Sequence, residues 1–137
     1  MAELELEPYA ASVHWHFAAA RPPETWQQML TAFLDNLGMA CTADSKCVLG
    51  HIKFFARLPH GGYLRGSKIS PHYPADLEVK GGTSPFAQLQ MSLNVLVYGL
   101  PLQEAQQIVR QVGTAAAAEA GGEMEIFTAQ ADHQHEH

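Results

Sequence analysis

The stretch Ala11-Ser12-Val13-His14-Trp15-His16-Phe17-Ala18-Ala19, followed by Arg21-Pro22-Pro23 and then by Glu24 to Leu37, decides the fold class. In residues 11–19, Val13, Trp15 and Phe17 alternate with Ser12, His14, His16 and Ala18, which is the period of two of a half-buried strand. The prolines interrupt that pattern. Proline suits a helix entrance, because its missing N–H has no intrahelical partner there. From Glu24 onward Trp26, Met29, Leu30, Phe33, Leu34 and Leu37 recur at helical spacing, and Gly38 reads as a C-terminal stop. The chain therefore begins as strand then helix.

Working outward, Cys47 to Leu58 reads as a long strand, with Val48, Ile52, Phe54 and Leu58 on one face and Leu49, His51, Lys53, Phe55 and Arg57 on the other. Pro59-His60-Gly61-Gly62 turns the chain, and Tyr63 to Ser70 returns as a strand. Pro71, His72 and Pro74 break it, and Leu77–Lys80 is a short further strand. Residues 88–98 alternate again, with Leu89, Met91, Leu93, Val95 and Val97 inward and Gln90, Ser92 and Asn94 outward. Gly99-Leu100-Pro101 opens a second helix carrying Leu102, Ala105, Ile108, Val109, Val112 and Ala116 on its apolar stripe. Gly121-Gly122 ends it, and Glu123 to Ala129 forms a last strand with Met124 and Ile126 on one face.

The order β-α-β-β-(β)-β-α-β resembles the ferredoxin-like, or split β-α-β, architecture: an α+β fold with an antiparallel sheet, two helices on one face and here an inserted hairpin. Right-handed crossover makes the first two main strands parallel, so the strand before the second helix must run opposite to them. Two intervening strands satisfy that direction and one alone does not, so topology requires the short segment at 77–80. The expected organisation is an acidic segment at 1–10, one domain at 11–129 and a disordered His-rich tail at 130–137.

With 47% hydrophobic and 16% charged residues over 137 positions, the chain can build a core, which argues against global disorder. The opening MAELELEPYA lacks a basic region followed by an apolar one, and no apolar run is long enough to span a bilayer, so the expectation is a cytoplasmic protein without membrane association. Cys41 and Cys47 have neither CxxC spacing nor the number needed for a disulfide framework. The net charge is −6, yet Lys46, Lys53, Arg57, Arg65, Lys68 and Lys80 gather against only Asp76 and Glu78. Such a local excess fits an anion-binding face, whereas a nucleic-acid binder needs a larger basic footprint.

The eight histidines are placed unevenly. His14 and His16 share one strand face, and His51 could add a third nitrogen if its strand is the neighbour. His133, His135 and His137 alternate along the tail beside Asp132 and Glu136. Imidazole is the commonest metal ligand, so these six point to a divalent transition metal, Ni, Cu or Zn. The plain alternatives are polar residues on an uncovered sheet face and a solvated tail. In the hairpin, Lys53, Arg57, Arg65 and Lys68 stand beside Gly50, Gly61, Gly62 and Gly66. They could bind a small carboxylate or phosphate, although neither a phosphate loop nor a dinucleotide fingerprint is present. Phe55, Tyr63 and Tyr98 could form an apolar strip that favours a homo-oligomer.

The function expected from these residues is a small metal-binding or metal-trafficking accessory protein that hands metal to a recipient. The alternatives are a dimeric regulatory or assembly module binding a small anion at the hairpin, and a small enzyme. For an enzyme, Ser67 or Cys47 beside a histidine would be the nucleophile, or His51 or His60 the acid–base group.

Overall fold

The computed structural model describes residues 8–128, and the tail histidines His133, His135 and His137 lie outside them. The elements in chain order are β1 (Tyr9–Arg21), α1 (Pro23–Cys41), β2 (Val48–Arg57), β3 (Tyr63–Lys68), β4 (Asp76–Lys80), β5 (Phe86–Tyr98), α2 (Leu102–Glu119) and β6 (Gly122–Thr128). The six strands form one antiparallel sheet in the order β4-β3-β2-β5-β1-β6, larger than the four strands usual in a ferredoxin-like fold. β1 and β2 run parallel with β5 between them, and the short strand demanded by direction is present as β4. No helix among the described residues is long and apolar enough to cross a membrane.

Alternation on β1 places Tyr9, Ala11, Val13, Trp15 and Phe17 in the core, and cross-strand register extends that face to Met91, Ala56, Leu64 and Val79. Both helices cover it. Trp15 meets Phe33 of α1 edge-to-face at 4.9 Å, and Met124, opposite Trp15 on β6, presses on Gly113 of α2. In α1, Trp26, Leu30, Phe33, Leu34 and Leu37 are buried, each aliphatic or phenyl group stabilising the fold by about 1.5–3 kcal/mol. Trp26 also donates from Nε1 to the Phe86 carbonyl at 2.9 Å while stacking on the Phe86 ring. In α2 the buried positions are Ala105, Val109, Gly113 and Ala117, small residues four apart that let the helix lie close to the sheet.

Three local expectations are corrected. Gly38 does not stop α1, which continues to Cys41; a Cβ at Gly38 would meet Lys68 Cε, so the glycine makes room for a crossing side chain. Val48 is exposed and Leu49 buried, the reverse of simple alternation. The register of β2 against β5 shifts between Leu49 and His51, and Gly50 is the extra residue of that bulge. Tyr63–Lys68 ends two residues earlier than its apolar pattern suggested, and Ile69 projects outward.

Candidate functional site

The sheet face not covered by helices is organised in cross-strand rows. One row reads Asp76, Ser67, Lys53, Asn94 across β4, β3, β2 and β5; the next reads Glu78, Arg65, Phe55, Ser92. These eight side chains line a groove of about 530 Å³. Its polar groups sit on regular strands, a rigid base for a binding site.

The four cations expected at the hairpin are divided. Lys53 and Arg65 line the groove. Arg57 lies farther along β2, in a smaller depression that it lines with Ser12, Gln90 and Ser92. Lys68 does not belong with them: the same alternation that turns Ser67 outward turns Lys68 toward α1. There its Nζ donates to Asp35 Oδ1 at 2.8 Å and to the Tyr73 carbonyl at 2.6 Å, with only 4% of its side chain exposed. It is a structural cation.

Within the groove the two remaining cations differ. Arg65 Nη2 and Nε both bond Glu78 Oε1, at 2.6 and 2.7 Å, and that hydrogen bond holds the guanidinium pKa above its ordinary value. Lys53 has no carboxylate within ion-pair distance among the described residues. Partial burial of His51, two residues before it on the same strand, and after that the Lys53 charge lower the pKa of the His51 imidazole. Phe55 is 42% exposed and its ring lies 5.6 Å from that of Tyr63, giving the groove one apolar wall; Tyr98 sits apart, beside Val48 at the strand end.

The histidines are also divided. His14 pairs with Gln90 and His51 with Leu96, so along β5 they stand six positions apart, about 20 Å at the rise of a strand. The expected trio of His14, His16 and His51 is therefore not brought together, because β5 separates β1 from β2. No three His, Cys, Asp or Glu side chains converge on a common point among the described residues. His14 rests edge-on against Phe127 at 5.4 Å, and His16 Nε2 lies 3.5 Å from Glu123 Oε1.

The nucleophiles considered for an enzyme find no histidine partner among the described residues. The Cys47 thiol donates to the Gly99 carbonyl at 3.5 Å, and burial raises its pKa, as do Asp44 and Glu104. Burial, then the nearby Cys47, pushes Cys41 up to about 12. Both thiols are protonated at neutral pH, the opposite of an activated nucleophile.

Sequence reasoning missed Ser92, Asn94, Asp76 and Glu78 as groove residues. Their outward direction followed from alternation, but their place beside Lys53 depends on β5 pairing with β2 and β4 with β3, which no local pattern specifies. No protein-family model, curated protein or solved structure matches this chain.

Proposed function

We propose that the protein is a small-molecule-binding module whose site is the groove on the open sheet face, and that its ligand carries a carboxylate together with an amino group. The observation that carries this reading is the unpaired Lys53 in a groove where Arg65 is already held by Glu78. Lys53, with the Ser67 hydroxyl and the Asn94 amide on either side in its row, suits a carboxylate. Asp76, at the far end of that row, suits an ammonium. Two cations and two carboxylates leave the groove without net charge, which favours a zwitterion such as an amino acid over a dianionic phosphate. Phe55 offers an apolar wall for the ligand's side chain. In this reading β2, β5, β1 and β6 with the two helices form the ferredoxin-like unit, and β3 and β4 are the added hairpin that completes the groove.

Thermal unfolding in the presence of amino acids, their deaminated and decarboxylated analogues, and inorganic phosphate tests the proposal. An amino acid should raise the melting temperature, since a ligand that binds only the folded chain stabilises it. Both truncated analogues should do less, and Lys53→Met should abolish the response. No shift with any probe, or an undiminished shift in the Lys53→Met variant, overturns it.

A further inference from the structure

We infer that β1 and β6 carry a divalent-metal site of mixed imidazole and carboxylate ligands, made by His14, His16, Glu123 and Glu125. These two strands stand apart from the groove, which lies on β2, β3, β4 and β5. In the β1–β6 ladder His14 is directly opposite Glu125 and His16 directly opposite Glu123. The spacing of two on each strand turns all four side chains to the open face. Directly opposed Cβ atoms lie about 4.5–5.5 Å apart, a span that imidazole and carboxylate arms close around a metal with bonds near 2 Å.

The charge balance points the same way. The open face of β1 and β6 between residues 12–16 and 123–127 presents two carboxylates and no lysine or arginine. Arg110 of α2 lines the same surface depression as Glu125 but makes no ion pair with it. With neutral imidazoles the patch carries two negative charges that a divalent cation offsets. As the side chains stand the four do not converge; only His16 and Glu123 approach each other, along one side of the rectangle. His14 has to leave the Phe127 ring for its nitrogen to join, a side-chain rotation at a half-buried position and no change of backbone. The donor set of two nitrogens with carboxylate oxygens suits zinc, nickel or copper and lacks the thiolates that select copper(I).

Calorimetric titration of the full chain with ZnCl₂ tests the site, and His133, His135 and His137 are replaced by alanine so that the tail cannot bind in its stead. This protein should take up one zinc with a Kd below about 10 µM. On that background His16→Ala or Glu123→Gln should weaken binding about tenfold or more, while His51→Ala leaves it unchanged. These side chains are exposed or half-buried, and melting temperature without metal confirms that each variant folds. The site is overturned if the tail-substituted protein binds no zinc, if Glu123→Gln and His16→Ala both bind as tightly as their parent, or if His51→Ala weakens binding equally.

Discussion

Lys68 Nζ lies 2.8 Å from Asp35 Oδ1, and the same carboxylate oxygen accepts the Ala75 backbone N–H at 2.8 Å. One atom of α1 thus fixes both the end of β3 and the entry to β4, the hairpin that forms half of the groove. The two partners are unequal: the lysine side chain is 4% exposed and the aspartate 32%. Asp35→Ala strands a buried ammonium with only the Tyr73 carbonyl for a partner and should cost about 3 kcal/mol. Lys68→Met keeps the stem over Gly38 and leaves a carboxylate that water can still reach, so it should cost about 1 kcal/mol. Urea unfolding of the two variants checks the order; equal losses contradict it.

Gly61 and Gly62 both have positive φ, at +104° and +91°, but only one is crowded. A Cβ at Gly61 meets nothing within 4 Å, whereas at Gly62 it runs into the Lys80 carbonyl and the Gly81 backbone. Gly61→Ala should cost about 1 kcal/mol for the left-handed backbone alone. Gly62→Ala should cost several times that and loosen the β3–β4 pairing, because a backbone carbonyl cannot move aside without breaking the ladder. Unfolding midpoints and amide exchange at Leu64 and Val79 give the comparison.

His51 should titrate below the ordinary histidine value of 6.5, since partial burial, chiefly, and the Lys53 charge disfavour its protonation. The folded chain then binds this proton more weakly than the unfolded chain. The contribution to stability is present above pH 6.5, falls as pH drops through that value, and stops falling below the folded pKa. An NMR titration of the ring should show the low midpoint. Lys53→Met should raise it partway toward 6.5, leaving the part due to burial. No movement assigns the shift to burial alone.

Most of the fold was legible because the signals were local. Trp15 and Phe17 on a period of two, and Trp26 to Leu37 on a helical period, report burial directly, and strand direction alone called for β4. The site was less legible because it depends on which strands are neighbours. His14 and His51 look like partners by their outward direction, yet β5 lies between their two parallel strands in the sheet. Lys68 shares its parity with Leu64, so its inward direction was readable; Asp35, the partner that makes a buried lysine tolerable, was not. The bulge at Gly50 reversed Val48 and Leu49 because one extra residue resets the alternation.

Glu78→Gln separates a groove tuned by charge from one that merely contains it. Arg65 is held by Glu78 with both groups substantially exposed, so losing that pair should cost little stability. The effect on binding should be larger than that and of opposite sign. The substitution frees a guanidinium one row from Lys53 and removes a negative charge, giving the groove a net positive charge. Affinity for a carboxylate lacking an amino group should rise several-fold, and the preference for the zwitterion should shrink as phosphate becomes an acceptable ligand. Asp76→Asn should act differently. It leaves the Arg65–Glu78 pair intact and removes only the carboxylate assigned to the ligand's ammonium, so it should weaken amino-acid binding without admitting phosphate. If the two substitutions change the ligand preference in the same way, the groove responds to net charge alone and Asp76 holds no ammonium.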